Sequence, residues 1–103
     1  MKALIRDRYG SPDVLEIREV ERPVPRKDEV LVRVHAASIN DWDWGLIHGP
    51  TLPISLGAPR PRILGSDIAG RVVSTGSAVQ RLRAGDEVFG DLSRFGFGGW
   101  GGF

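Results

Sequence analysis

Few residues in this sequence combine a reactive side chain with a spacing that could do chemistry. Gly96-Phe97-Gly98-Gly99-Trp100-Gly101 satisfies G-x-G-x-x-G. That pattern cradles a pyrophosphate only where it opens a helix and an acidic residue follows about twenty positions later. Only Gly102 and Phe103 follow here, so the segment reads as a Gly/aromatic loop. Metal chemistry has little to draw on, because cysteine is absent and the two histidines, His35 and His48, have no helical spacing between them. His35 alternates with Arg33 along a strand-like run and reads as solvated. His48 falls where a short helix should end, a favourable place for an imidazole whatever its function. No serine stands in a G-x-S-x-G elbow, so nucleophilic catalysis has no signature. Asp41 and Asp43 form a pair of carboxylates, but first-turn acids are explained by capping and the helix dipole alone. Composition and spacing do not reach a reaction.

The elements that must position these residues are mostly strands. Lys2 to Arg6 is a short apolar-centred run that stops at Gly10-Ser11-Pro12-Asp13, a cluster of turn formers. Val14 to Glu21 alternates, with Val14, Glu16, Arg18 and Val20 on one side and Leu15, Ile17 and Glu19 on the other. Pro23 and Pro25 make residues 22–28 a loop or an edge. Glu29 to Ala37 is the strongest strand: Val30, Val32, Val34 and Ala36 should form the core face, and Leu31, Arg33, His35 and Ala37 a mixed, partly wet face. Asn40 is a suitable N-cap and Gly49 a suitable C′ residue, so one or two helical turns fit between them. Residues 50–62 carry several prolines and should form an irregular connection. Asp67 to Thr75 is a further strand with Gly70 inside it, where a bulge or a close backbone approach is expected. Residues 76–85 form a loop anchored by Val79 and Leu82, and Glu87-Val88-Phe89 a brief strand.

Composition bounds the classes. The chain has 103 residues, a formal net charge of +1 and 41% hydrophobic residues, which suits one small domain. A charge so close to neutral offers no obvious source for the counterion release that drives nucleic-acid binding. No apolar run is long enough for a membrane span, and charge arrives too early for a signal peptide, so a cytoplasmic location is the default expectation. With 14 glycines and 7 prolines, short strands and turns are favoured over a helical bundle.

Beyond this, the residues resemble a known family. Asp28-Glu29-Val30-Leu31-Val32-Arg33-Val34-His35-Ala36-Ala37-Ser38-Ile39-Asn40, followed by Asp43-Trp44, is similar to the medium-chain dehydrogenase/reductase superfamily. So are Ile63-Leu64-Gly65-Ser66-Asp67-Ile68-Ala69-Gly70-Arg71-Val72-Val73 through Gly76, and Val79 with Gly85-Asp86-Glu87-Val88-Phe89-Gly90. Met1-Lys2-Ala3 and Tyr9-Gly10-Ser11-Pro12-Asp13-Val14-Leu15 look like the zinc-free, quinone-oxidoreductase-like branch, often labelled as an alcohol dehydrogenase family. The similarity runs in order from residue 1 to about residue 95.

The resemblance implies a mainly β fold: a GroES-like, partly open β-barrel with one short helix. Residues 1–95 would form that N-terminal catalytic segment and residues 96–103 a Gly/aromatic loop. The barrel is expected to be incomplete, because the family's late strands and its Rossmann cofactor domain would follow. In zinc-dependent members a cysteine begins the short helix and a His-Glu pair follows the glycine of the later motif. Asn40 and Gly65-Ser66-Asp67 stand there instead, so no catalytic zinc is implied.

The implied chemistry is hydride transfer from NAD(P)H, with NADPH the expected cofactor, to a quinone or an α,β-unsaturated carbonyl. Asn40 and Asp43 would be the catalytic residues. The Asn40 amide either donates to a carbonyl or accepts from the ribose, and Asp43 orients nearby groups. Asn40 and Trp44 would contact cofactor, and Trp42, Trp44, Ser66 and Asp67 would line the substrate pocket. Asn40 also reads as a plain N-cap, and one of the two tryptophans as core. The natural partner would be the remainder of the parent enzyme, the isolated chain being inactive and binding NADPH weakly or not at all. The alternative is a free-standing GroES-like module that binds a partner or self-associates through an open sheet edge without catalysis.

Overall fold

The computed structural model describes residues 1–49 and 63–92. Among these residues five strands and one α-helix follow in order, with a 3-10 turn at Pro12–Val14: β1 (Lys2–Arg6), β2 (Leu15–Glu19), β3 (Val30–Ala37), α1 (Asp41–His48), β4 (Asp67–Thr75) and β5 (Glu87–Asp91). The strands form two antiparallel sheets, β1-β2 and β3-β4-β5. A bridge from Ile5 to Ile63, just ahead of β4, ties β1 to the second sheet. The described sheets do not close on one another, so the mainly β, partly open barrel with one short helix is borne out. The irregular connection expected at 50–62 and the loop expected at 96–103, with its glycine pattern, lie outside the described residues.

β1 and β2 make a hairpin because the turn formers before Val14 return the chain, and its register sets Ala3 opposite Arg18 and Ile5 opposite Glu16. Ala3 and Ile5 are buried, and with Ile47, Leu64, Ile68 and Val72 they form the apolar core. β2 contributes less than its alternation suggests: Ile17 is 73% exposed, whereas Arg18 is half-buried and paired with Glu16 and Asp7.

The valine face of β3 is a correction. Val30, Val32 and Val34 are half-buried and Ala36 is exposed. Two register shifts against β4, between Leu31 and Val32 and between Val34 and Ala36, break the two-residue alternation on which the expectation rested. β3 also lies at the end of its sheet, so the buried face belongs to the central strand β4, through Ile68 and Val72. Gly70 marks the close approach expected inside β4: a Cβ there would stand 2.2 Å from the Arg33 carbonyl oxygen. Val79 in the following loop is half-buried, but Leu82 is exposed and does not anchor it.

The last carbonyls of a helix need partners from outside it. In α1 they come from the end of β1 and the turn after it. The Arg6 guanidinium donates to the Leu46 carbonyl, and the Gly10 N–H to the Ile47 carbonyl at 2.9 Å. Arg6 is fully buried, and its guanidinium carbon lies 5.2 Å from the centre of the Tyr9 ring. Burial pulls its pKa below the ordinary value, while Tyr9 acts weakly in the opposite direction. A cation at a helix C-terminus complements the dipole, so this contact fixes α1 against β1.

Candidate functional site

The site grows from the N-terminus of α1. Asn40 is extended (φ −119°, ψ 164°) and caps the helix as expected, and with Asp43 it forms a capping box. The firm arm of the box runs from the Asn40 N–H to Asp43 Oδ2 at 3.0 Å. Asp43 is 2% exposed, and its other oxygen, Oδ1, accepts the Gly65 N–H at 3.1 Å. Gly65 has φ +90°, a left-handed conformation that glycine adopts freely, and in it the N–H turns back toward the helix. One buried carboxylate therefore joins the loop carrying Asn40 to the loop carrying Ser66 and Asp67.

In front of that clamp lies a polar triangle. Asn40 Nδ2 donates to Asp67 Oδ2 at 2.7 Å and to Ser38 Oγ at 3.2 Å, and the Ser38 hydroxyl donates to the same Asp67 oxygen at 3.2 Å. The Ser38 N–H also reaches the Asp67 carbonyl at 3.2 Å. Ser38 and Asn40 are exposed and Asp67 is half-buried, so the triangle faces solvent. Ser38 was not among the residues expected here. Its position two before Asn40 was the available signal, since in extended chain i and i+2 share a side.

Of the other expected residues, Ser66 is buried, 8% exposed, and its carbonyl accepts the Leu92 N–H at 2.7 Å, tying down the end of β5. Trp42 and Trp44 are 55% and 53% exposed, so neither is the core residue expected of the pair. Two positions apart on a helix is about 200° around its axis, so they cannot wall one pocket. Trp44 follows Asn40 by four and precedes His48 by four, in one stripe beside the triangle. Its ring meets that of His48 at 5.0 Å between centroids, and His48 Nδ1 lies 2.9 Å from the Trp44 carbonyl oxygen. Trp42 belongs to the opposite flank, where it borders a small apolar cavity with Asp41, Gly45 and Leu46.

Chemically, the triangle offers a hydroxyl, an amide and a carboxylate to a polar ligand, with an indole wall on one side. A zinc ion does not fit this donor set, which lacks thiolate and imidazole. Among the described residues no three His, Cys, Asp or Glu side chains converge.

The profile of the alcohol dehydrogenase GroES-like domain matches residues 26–103. The chain is 40% identical over 102 residues to the quinone-oxidoreductase QR1, chloroplastic, of Triphysaria versicolor, covering 96% of this chain and 30% of that protein. It is 38% identical over 94 residues to the NADPH-dependent alkenal/one oxidoreductase, chloroplastic, of Arabidopsis thaliana, covering 90% and 24%. Among solved structures, the quinone oxidoreductase of Escherichia coli complexed with NADPH superposes with a TM-score of 0.77 at 28% identity, covering 99% of this chain and 28% of that one. The chain thus spans less than a third of the length of these relatives.

Proposed function

Since the chain belongs to the alcohol dehydrogenase GroES-like domain family, with quinone and alkenal oxidoreductases among its relatives, we propose that it supplies the nicotinamide-proximal part of a zinc-free, NADPH-dependent oxidoreductase. The substrate class is a quinone or an α,β-unsaturated carbonyl. The observation that carries this reading is the 2.7 Å contact between Asn40 and Asp67. Asn40, which stands where zinc-dependent members have the cysteine, and Asp67, which stands where they have the glutamate of the His-Glu pair, are hydrogen-bonded to each other in a set that suits a polar organic ligand.

When bound, the reduced nicotinamide supplies the hydride. The work of this chain is positional. Asn40 hydrogen-bonds the ribose end of the cofactor, Trp44 gives its ring a flat wall, and Asp43 keeps both loops in register behind them. Without a Lewis acid, negative charge developing on the acceptor oxygen must be met by hydrogen-bond donors or ordered water. The phosphates of NADPH would be bound by the remainder of the parent protein.

A titration of the chain with NADPH, followed by tryptophan fluorescence, tests this reading, with Asn40→Ala as control. The expected result is weak binding, saturating only at millimolar cofactor and lost in the control. Micromolar binding would show a complete pocket in this chain and overturn its role as one part of a larger site. No response at all would remove the cofactor contact.

A second reading is favoured by one observation. Among the described residues, the outer edge of β3 is unpaired, and a groove of about 880 Å³ runs along Leu31–Ala37, bounded by Met1, Lys2, Arg22 and Pro23. An exposed strand edge is a template for pairing. A self-associating module would elute as a dimer or larger by size exclusion with light scattering, whereas a stable monomer at high concentration would dismiss it.

A further inference from the structure

The donor and acceptor inventory of the triangle fixes which way the Asn40 amide faces. An amide can turn over, and its oxygen and nitrogen are told apart by their partners. Here the nearest partner settles the matter, because an ionised carboxylate only accepts. The group 2.7 Å from Asp67 Oδ2 must therefore be Nδ2. The second contact of Nδ2, to Ser38 Oγ, also stays inside the triangle. The reverse orientation would set Oδ1 against a carboxylate oxygen, two acceptors with no proton between them.

We propose that Asp67 is the positioning residue of this site: it holds the Asn40 NH2 inward, so that Asn40 meets its ligand as a hydrogen-bond acceptor, through the lone pair of Oδ1 that the capping box with the Asp43 N–H leaves open. This rests on the proposed function and sharpens it. The two roles open to Asn40, donor to a substrate carbonyl or acceptor from a cofactor hydroxyl, reduce to the second. The ligand group it reads is a donor, of the chemistry of a ribose hydroxyl or a carboxamide NH2. Polarisation of the substrate carbonyl falls to another donor.

The test is a reciprocal exchange, read by thermal denaturation and by side-chain amide signals in 15N–1H correlation spectra. Asn40→Asp alone brings two carboxylates together and should lower the thermal midpoint by several degrees. Asp67→Asn alone keeps one acceptor oxygen opposite the amide and should cost less. The double variant Asn40→Asp/Asp67→Asn reverses the donor while keeping the pair. It should recover most of the lost midpoint and show a protected side-chain amide assigned to position 67. Failure of that rescue, or an Asn40 side-chain amide in the unsubstituted chain that exchanges as fast as free asparagine, would overturn the pairing.

The NADPH titration tests the acceptor role. The double variant still presents an acceptor oxygen and should lose less NADPH affinity than Asn40→Ala, while a loss as large as that of Asn40→Ala with the midpoint restored overturns that role. If the unsubstituted chain gives no NADPH response, the proposed function and the acceptor role fall together. The direction of the Asn40–Asp67 pair is then still decided by the ligand-free readouts.

Discussion

Gly70→Ala is expected to lower stability by about 3 kcal/mol, as overpacking against rigid backbone does. The added methyl carbon would sit 2.2 Å from the Arg33 carbonyl oxygen and 2.9 Å from a Val32 methyl group. The first of these is backbone of the neighbouring strand, so no rotamer change relieves it and β3 must move. That strand is already shifted in register on both sides of the contact, and its next residues lead through Ser38 to Asn40. For a domain of about a hundred residues such a loss moves the thermal midpoint down by something like 15 °C. Gly45→Ala is the matched control. Among the described residues nothing lies within 4 Å of a Cβ at Gly45, which is inside α1. There alanine should stabilise by about 0.5–1 kcal/mol through helix propensity. Opposite signs in a denaturation experiment support the close approach. A Gly70→Ala midpoint indistinguishable from the unsubstituted chain would mean that β3 and β4 are not packed this tightly.

How far such features can be read from residues alone differs from place to place. Gly70 was legible because a glycine inside a β-branched run lacks a propensity reason to be there. The bounds of α1 were legible because Asn40 and Gly49 are cap residues flanking eight positions without proline. The position of the core was not. The alternation of Val30, Val32, Val34 and Ala36 is a statement about a regular strand, and the shifts that break it arise from pairing with β4, which local sequence does not encode. Exposure of both tryptophans was also hidden. Periodicity separates Trp42 from Trp44, but it cannot say which flank is covered, since that depends on what packs around α1. In the site, the resemblance supplied Asn40, Asp43 and Asp67, while Ser38 needed only the rule that residues i and i+2 share a side of an extended chain. That Asn40 and Asp67 would bond directly required the fold, which brings together positions 27 apart in sequence.

Asp43→Ala should cost a similar amount, about 3 kcal/mol, and its cause is different. The carboxylate is 2% exposed and accepts two backbone N–H groups, from Asn40 and from Gly65. Removing it leaves both donors without that acceptor in a place water reaches poorly, and a buried unsatisfied donor costs roughly 1–3 kcal/mol. Asp43→Asn separates the two bonds. Its remaining oxygen can serve one N–H, but its NH2 then confronts the other, so a cost of about 1–2 kcal/mol is expected, between alanine and the native residue. Asp41→Ala, at an exposed acid of the same helical turn, should change stability by less than about 0.5 kcal/mol. The signature that separates a clamp from general loss of packing is native-state hydrogen exchange. In Asp43→Asn, which is expected to remain folded, the Asn40 and Gly65 amides should lose protection while those of β4 keep theirs. Equal loss across β4 would show Asp43 to be ordinary core. Selective loss would mean that one buried carboxylate sets the spacing of Asn40 and Asp67, so that weaker NADPH binding in this variant would follow from displaced loops, with every ligand-facing side chain intact.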